Sequence, residues 1–284
     1  MSTSRAEAPD RYVVLGNPVA HSRSPAIHAA FARQTGQPVA YDRLLSPLDG
    51  FEATVRNFAL GGGRGCNITV PFKLQAPLLA QRVSARAQLA GAANVLRLDP
   101  GGWFADNTDG AGLLRDIEAG AARPLAGQRV LLIGAGGAGA GVLGPLLAAR
   151  PAEVVLANRT LAKAQALVET HSAWAADHGT ALRASDLHGC GSAFDVVLNA
   201  SASSLQGAPS PVAAEVFAPG ALAVDLMYGA AAEPWLRWAA QQGATPRDGL
   251  GMLVEQAAEA FFIWRGVRPD TAPVLQALRA GTSI

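Results

Sequence analysis

The chain has 284 residues, of which 50% are hydrophobic, and it carries a formal net charge of +1 and two cysteines. This length predicts about two domains with sizeable cores, and a near-zero charge without a run of basic residues argues against nucleic acid and favours a small-molecule partner. Two distant cysteines argue against a disulfide scaffold and a metal site. The polar first ten residues lack the apolar core of a signal peptide, so we expect a cytoplasmic protein.

The first predicted strand covers residues 12–15 and ends at a Gly-Asn-Pro turn, and a helix is predicted over residues 26–34. Ser24 stands directly before Pro25 and is a good N-cap for this helix. Capping does not explain Ser22. Two hydroxyls spaced by one residue at the carboxyl end of a strand can also bind a polyol or a carboxylate, so capping and ligand binding are equal alternatives for this pair.

The segments that follow predict a strand over residues 39–45, a helix over 47–60 and an alternating strand over 66–70. A proline then opens a helix whose first turn contains Lys73. The helix macrodipole disfavours a cation there by roughly 0.3 to 1 kcal/mol, while the same field favours the neutral amine that proton transfer requires. Of the 23 basic residues only two are lysines. Lys73 is therefore a candidate for proton transfer.

A helix over residues 84–90 and a hairpin around residues 99–102 come next. The hairpin leads residues 106–110 to the start of a helix that extends to about residue 119. Asp109, taken alone, is best explained as a cap or as a partner of the helix dipole.

An uncharged run over residues 130–149 is long enough to cross a membrane, but six glycines and a proline interrupt it. The pattern predicts a strand over 130–133, a glycine turn, a small-residue helix and a second strand over 154–157. This is the entry to a dinucleotide-binding βαβ unit, in which successive glycines permit the turn, the approach of the pyrophosphate, and close packing of helix on strand. The alternatives are a plain glycine-rich core turn and a membrane dimerisation motif formed by Gly137 and Gly141. The turn consists of Gly134, Ala135, Gly136, Gly137, Ala138 and Gly139.

The loop after the second strand has no acid where NAD-binding units usually carry one for the ribose 2′-hydroxyl. Asn158, Arg159, Thr160 and Lys163 instead offer donors and positive charge. This composition favours the 2′-phosphate of NADP over an ordinary solvated loop.

Four later residues also need an interpretation. Ala200 and Ser201 end a strand with small residues suited to lie against a cofactor. Asp225 ends another strand, where we expect it to anchor the following loop. Gln256 is a polar group on an apolar helix stripe, for which a satisfied core amide is the first interpretation and a ligand contact the second.

Seven segments, in this order, together resemble the shikimate dehydrogenase family, and the resemblance covers about residues 11 to 280. They are HSRSPAIH (21–28), NITVPFK (67–73), AGAANV (90–95), DNTDG (106–110), IGAGGAG (133–139), ANRT (157–160) and DGLGMLVEQAAEAF (248–261).

The resemblance implies an α/β fold with an N-terminal α/β substrate domain and a Rossmann-type NADP-binding domain, separated by a cleft. The substrate domain would cover residues 1–110 and be completed by the C-terminal helices of residues 250–284. The NADP-binding domain would cover residues 111–249. The protein would be a monomer or a homodimer.

The implied reaction is the interconversion of 3-dehydroshikimate and shikimate with NADPH, in chorismate and aromatic amino-acid biosynthesis. Lys73 and Asp109 would form the catalytic pair, with Lys73 giving the proton and Asp109 holding the ammonium and a substrate hydroxyl. Around the substrate the family would place Ser22, Ser24, Asn67, Thr69, Lys73, Asn94, Asp109, Tyr228 and Gln256. For the cofactor site the resemblance adds Leu226, Gly249 and Met252 to the glycine turn, the loop after the second strand, Ala200 and Ser201.

Two alternatives are a quinate or aminoshikimate dehydrogenase of the same superfamily and a non-catalytic NADP-binding regulator. The paired serines favour shikimate, and the missing acid near Asn158 argues against an NAD-dependent quinate enzyme. A regulator could do without a proton donor, so the presence of both Lys73 and Asp109 argues against it.

Overall fold

The chain forms two compact units in the computed structural model, which describes residues 8–201 and 210–282. Each unit is assembled from separate stretches of the chain. The first unit contains Met1–Ala87, Ala93–Thr108 and Ala257–Ile284, and the second contains Gln88–Ala92 and Asp109–Gln256.

The first unit is built on a mixed six-stranded sheet. Its strands are β1 (Asp10–Gly16), β2 (Val39–Leu45), β3 (Gly63–Ile68), β4 (Arg82–Val83), β5 (Val95–Arg97) and β6 (Phe104–Asp106). They lie in the order β2-β1-β3-β5-β6-β4. β1 pairs in parallel with β2 and β3, and β5 and β6 form the predicted antiparallel hairpin. The carboxyl ends of β1 and β3 therefore meet at one edge of the sheet.

The second unit is built on a parallel six-stranded sheet. Its strands are β7 (Arg129–Ile133), β8 (Glu153–Ala157), β9 (Ala181–Ser185), β10 (Phe194–Asn199), β11 (Phe217–Asp225) and β12 (Thr245–Arg247). The order β12-β11-β10-β7-β8-β9 is that of a doubly wound dinucleotide-binding sheet. The order reverses between β7 and β10, which is the position at which such sheets bind ligands.

The helices of the described chain are mostly short. They are α1 (Ser24–Thr35), α2 (Phe51–Leu60), α3 (Ala85–Ala90), α4 (Asp109–Arg115), α5 (Gly137–Ala148), α6 (Leu161–Asp177), α7 (Glu233–Gln241), α8 (Leu250–Arg265) and α9 (Ala272–Arg279). A π-helical turn over Asp116–Gly120 continues α4, and 3₁₀ turns cover Phe72–Leu74 and Ala76–Leu79.

Each unit has its own hydrophobic core. In the first, Leu15, Ile68 and Phe72 pack with the inner face of α2. In the second, alternate residues of β7 face opposite sides of the sheet, so Leu132 joins one cluster and Leu131 the other. Burial on both faces explains why these strands are continuous apolar runs.

The unit boundaries differ from the expected ones near residue 110 and at the start of α8. The structure groups Asp109, Gly110 and residues 250–256 with the second unit. The physical reason is close helix packing, since a Cβ on Gly110 would lie 2.3 Å from Pro145 of α5. A Cβ on the α4 residue Gly112 would lie 2.7 Å from Gln256 of α8.

Two local predictions were wrong. The helix expected over 47–60 begins at Phe51. The helix expected after Pro71 is a three-residue 3₁₀ turn, so the macrodipole argument for Lys73 does not apply, because such a turn aligns too few peptide dipoles. No helix in the described ranges 8–201 and 210–282 is long and apolar enough to span a membrane.

Candidate active site

The glycine turn joins β7 to α5 at the point where the strand order reverses. Gly134 has φ +111°, a conformation that residues with a Cβ rarely adopt. A Cβ at this position would also lie 2.9 Å from the backbone of Ala200, which follows β10. The first glycine of the motif is therefore required by both the turn and its close approach to the neighbouring strand.

The second and third glycines are explained by different surroundings. A Cβ on Gly139 would lie 2.0 Å from the carbonyl oxygen of Gly134, so helix and turn touch there. A Cβ on Gly136 would meet no protein atom within 4 Å, and the backbone is extended at φ −92° and ψ −171°. Protein packing does not require a glycine at Gly136, whereas a pyrophosphate approaching the N-terminus of α5 does.

The loop after β8 connects the glycine turn to a positively charged surface. The Asn158 side chain accepts a hydrogen bond from the Ala135 amide at 3.1 Å and donates one to the Thr160 carbonyl at 2.9 Å. Arg159 and Lys163 are exposed, and neither forms an ion pair with the residues that the structure describes. Two cations beside a dinucleotide turn, with no acid in the loop, fit a 2′-phosphate.

The ends of β10 and β11 are held together by a buried polar pair. Asn199 donates a hydrogen bond to the Asp225 carboxylate at 3.0 Å, and the same carboxylate accepts one from the Met227 amide at 2.8 Å. The expected anchoring role of Asp225 is confirmed. The Ser201 hydroxyl donates to Asn199 at 2.7 Å, which fixes this serine beside Gly134.

Leu226, Gly249 and Met252 lie close together in the second unit. A Cβ on Gly249 would lie 2.4 Å from the carbonyl oxygen of Leu226, and Met252 is 7% exposed within the core that Leu226 packs against. Their contact with a cofactor stays a prediction.

The paired serines sit at the start of α1. The Ser22 hydroxyl accepts a hydrogen bond from the Ser24 amide at 3.3 Å and donates to the Ser24 hydroxyl at 3.2 Å. Ser24 is the first residue of α1, Arg23 precedes it, and this helix has no side-chain cap. The capping interpretation of Ser24 was therefore wrong. Arg43 of β2 donates to the Ser22 carbonyl through Nε at 3.1 Å, which places a cation beside the pair.

Asn67 and Asn94 are joined across β3 and β5. The Asn67 amide donates to the Asn94 carbonyl at 3.3 Å, and its oxygen accepts from the Tyr41 hydroxyl at 2.7 Å. The Asn94 side chain accepts a hydrogen bond from the Thr108 amide at 2.8 Å and donates to its hydroxyl at 2.9 Å. Thr69 lies one residue beyond β3, where its amide donates to the Leu15 carbonyl at 2.9 Å.

Lys73 is partly buried, in the 3₁₀ turn that follows Thr69. Its carbonyl accepts a hydrogen bond from the Ala93 amide at 2.9 Å, so the turn is fixed to the residue before Asn94. The first unit thus groups Lys73 with Asn67, Thr69 and Asn94.

Asp109, Tyr228 and Gln256 belong to the second unit. Asp109 is the first residue of α4 and is 4% exposed, Gln256 is 8% exposed, and Tyr228 is partly buried. The Gln256 amide donates to the Leu253 carbonyl at 2.9 Å. This hydrogen bond agrees with the first interpretation of Gln256 as a satisfied core amide.

Sequence reasoning missed two residues beside Asn67, namely Tyr41 and His28. Tyr41 stood in the strand predicted over residues 39–45, and no role was assigned to it. His28 was one of five histidines without a metal or triad pattern. Burial lowers the pKa of His28 to about 3, because the charged imidazolium would be cut off from water. The available signal for His28 was its position on the same helix as Ser24. Local sequence did not link Tyr41 to Asn67, because β1 lies between β2 and β3 in the sheet.

The fold and these residues define a dinucleotide-binding protein of the doubly wound type with a second α/β domain. Three family descriptions match the chain: the shikimate dehydrogenase substrate binding domain over residues 14–96, shikimate / quinate 5-dehydrogenase over 118–212, and the shikimate 5′-dehydrogenase C-terminal domain over 249–279.

Individual relatives agree over nearly the whole chain. A protein named shikimate dehydrogenase (NADP(+)) from Acidovorax sp. is 63% identical and covers 96% of this chain and 97% of its own. One of the same name from Methylibium petroleiphilum is 60% identical, with 97% and 96% covered. The crystal structure of shikimate 5-dehydrogenase from Thermus thermophilus in complex with NADP(H) and shikimate has a TM-score of 0.81 at 35% identity, with 95% and 99% covered. The chain belongs to the shikimate dehydrogenase family.

Proposed function

We propose that the protein catalyses the reversible reduction of 3-dehydroshikimate to shikimate with NADPH, in aromatic amino-acid biosynthesis. The observation that carries this proposal is the structure around Gly136, which is open to a phosphate and lies next to the basic loop of Arg159 and Lys163. The family relationship supplies the substrate class, since its relatives carry the name of this NADP-dependent enzyme.

NADPH, when bound, supplies the hydride. The amides at the N-terminus of α5 would hold its pyrophosphate, because the first amides of a helix have no partner within the helix. Arg159, Thr160 and Lys163 would bind the 2′-phosphate, and Asn158 would keep their loop in register with the glycine turn. Ala200 and Ser201 would lie along the cofactor beyond Gly134.

The substrate carries a carboxylate, ring hydroxyls and a ketone, and each group has suitable partners. Ser22 and Ser24 would bind the carboxylate, and the cation of Arg43 beside them favours an anion electrostatically. The ring hydroxyls would be held by Asn67, Thr69, Asn94, Tyr228 and Gln256.

Lys73 would deliver the proton to the ketone oxygen as the hydride arrives on the carbon. Asp109 would hold the ammonium and a neighbouring hydroxyl and so orient the ring. In the oxidation of shikimate the same lysine would take the proton back.

The second unit would bind NADP, and the first would contribute most of the residues that bind the substrate, namely Ser22, Ser24, Asn67, Thr69, Lys73 and Asn94. We further infer a cytoplasmic protein that acts on a small molecule, without a nucleic-acid partner, as a monomer or a homodimer. The role of the first unit in substrate binding is supported by the match of residues 14–96 to a substrate binding domain.

The test is product analysis with the purified chain, 3-dehydroshikimate and NADPH. We expect shikimate to form in proportion to the NADPH consumed. If the chain bound NADP without consuming it, the non-catalytic regulator would be favoured. If 3-dehydroquinate were reduced in preference, the quinate enzyme would be favoured.

A further inference from the structure

An aromatic cluster of the first unit contains the tyrosine that contacts Asn67. Tyr41 on β2 and His28 on α1 stack with ring centroids 4.1 Å apart and planes inclined by 7°. Trp264 of α8 lies near both rings, 5.5 Å from His28 and 6.2 Å from Tyr41. Because the ring of Tyr41 stacks on His28 and also packs near Trp264, its hydroxyl has a defined position.

The Tyr41 hydroxyl fixes the orientation of the Asn67 side chain. It donates to Oδ1 of Asn67 at 2.7 Å, while Nδ2 donates to the Asn94 carbonyl at 3.3 Å. A carboxamide has two acceptor lone pairs and two N–H donors, so these bonds use one of each. His28 is the other polar neighbour of this carboxamide, but neither of its ring nitrogens forms a hydrogen bond of ordinary geometry with the described residues. One lone pair and one N–H of Asn67 are therefore left to bind a hydroxyl, which donates and accepts at once.

The neighbours of Tyr41 keep this arrangement uncharged. Burial raises the pKa of Tyr41 well above its usual value, with the Cys66 thiol adding to the effect and the Ser24 hydroxyl offsetting part of it. His28 is fully buried, and neither of its ring nitrogens makes a hydrogen bond of ordinary geometry with the described residues. His28 is therefore a neutral stacking partner, and the phenol remains a donor at physiological pH.

We propose that Tyr41 is a positioning residue of the substrate site, whose hydroxyl holds the Asn67 carboxamide so that its second N–H and second lone pair face a ring hydroxyl of the substrate. This inference rests on the proposed function, in which Asn67 binds the substrate. The contact that carries the inference is the hydrogen bond from the Tyr41 hydroxyl to Asn67, which lies on the hydroxyl-binding side of the proposed substrate site.

The test compares Tyr41→Phe with Tyr12→Phe, which removes a hydroxyl from a buried tyrosine stacked on the same Trp264. The Tyr12 hydroxyl lies 3.4 Å from Arg265 and makes no contact with Asn67. We expect Tyr41→Phe to raise KM for shikimate about tenfold while kcat changes less than about threefold and KM for NADP stays constant. Tyr12→Phe should leave all three constants within about twofold of wild type. A KM within twofold of wild type for Tyr41→Phe would overturn the proposal.

A double-mutant cycle separates positioning from a general structural role. We expect Asn67→Ala to raise KM for shikimate, and Tyr41→Phe to add nothing further in that background, because the group that it positions is gone. Additive effects would mean that Tyr41 acts independently of Asn67 and would overturn the inference. Asn67→Ser provides a second version of the cycle should the alanine variant not fold.

The same cycle distinguishes the inference from the proposed function. If Asn67→Ala alone left KM for shikimate unchanged, the assignment of Asn67 to the substrate site would be wrong, and the inference would fall with it. If Asn67→Ala raised KM and Tyr41→Phe did not, only the role of Tyr41 would be wrong.

Discussion

At the scale of single residues, Lys73 carries the chemical part of the proposed function. We predict that Lys73→Arg lowers kcat by about two to four orders of magnitude, because guanidinium keeps the charge but does not release its proton at physiological pH. The measurement is the initial rate of shikimate oxidation at saturating NADP.

The matched control is the reverse exchange at an exposed site, Arg237→Lys on α7, where the side chain pairs with Glu233 at 3.4 Å. This variant should keep the wild-type rate. Near-wild-type turnover by Lys73→Arg would show that the lysine contributes charge or orientation and not a proton.

The sequence identified Lys73 for a reason that the structure does not support. The argument from the helix dipole failed, because the expected helix is a 3₁₀ turn of three residues, and local sequence does not specify where a turn that begins with proline ends. The argument from the scarcity of lysine does not depend on the helix. Ser24 shows the opposite case. Its spacing from Ser22 left capping and ligand binding as equal alternatives. Capping was wrong, because α1 has no side-chain cap and the Ser24 hydroxyl accepts a hydrogen bond from Ser22 instead, while ligand binding stays a prediction.

At the scale of elements, the glycine turn allows packing and cofactor binding to be separated. We predict that Gly139→Ala destabilises the protein by about 1–3 kcal/mol, because its Cβ would overlap the Gly134 carbonyl, 2.0 Å away. Thermal melting of the apo protein should show a fall of several degrees.

Gly136→Ala is the matched control for that variant, since its Cβ would meet no protein atom within 4 Å. Its melting temperature should equal that of wild type, whereas KM for NADPH should rise at least about tenfold, because the methyl group occupies the path of the pyrophosphate. Unchanged affinity for NADPH would mean that the pyrophosphate binds elsewhere.

The loop after β8 gives a prediction on cofactor choice. Arg159→Ala should raise KM for NADPH by about 10- to 100-fold, as expected for the loss of a charge-assisted hydrogen bond, and should leave KM for NADH unchanged. Initial rates with both cofactors provide the measurement, with Arg237→Ala as an exposed-arginine control. An equal rise in both constants would contradict a role in binding the 2′-phosphate.

Elements with a strong local pattern were predictable, namely the apolar parallel strands, the glycine turn and the hairpin around residues 99–102. The π-helical turn over Asp116–Gly120 was not. Its first residue, Asp116, has a buried carboxylate that accepts a hydrogen bond from Nε of Arg247 at 2.8 Å. A partner more than a hundred residues away leaves no mark on local sequence.

At the scale of the whole molecule, the approximate division into two units followed from length and from the resemblance, but the boundaries did not. They are set by how closely α4 packs on α5 and α8, at Gly110 and Gly112, and a small residue in a helix is compatible with several packing partners. Tyr41 was missed because its contact with Asn67 is also a tertiary one. β2 and β3 lie on either side of β1 in the sheet, and local sequence does not specify this order.

Global stability should depend on pH through His28. Its pKa is about 3 in the folded protein and near 6.5 when unfolded, so the unfolded chain binds the extra proton. Above about pH 6.5 His28 therefore does not reduce the free energy of unfolding. As the pH decreases from there towards 3, His28 lowers the free energy of unfolding by up to about 1.4 kcal/mol per pH unit.

We predict that His28→Phe, which keeps an aromatic ring against Tyr41, loses less unfolding free energy than wild type between pH 7 and pH 5. Denaturant titrations at the two pH values measure the difference. The exposed His188→Gln should behave as wild type. An unchanged pH dependence in His28→Phe would contradict a buried neutral imidazole.

The proposed function is that of an NADP-dependent shikimate dehydrogenase. Its most direct test is the set of initial rates with shikimate and with quinate, each with NADP and with NAD. We predict that kcat/KM for shikimate with NADP exceeds that of the other three combinations by at least about tenfold. The loop from Asn158 to Lys163 favours NADP, because it offers cations and no acid for the ribose, and the pair Ser22 and Ser24 favours shikimate. A higher kcat/KM for quinate, a preference for NAD, or no turnover with any pair would contradict this function.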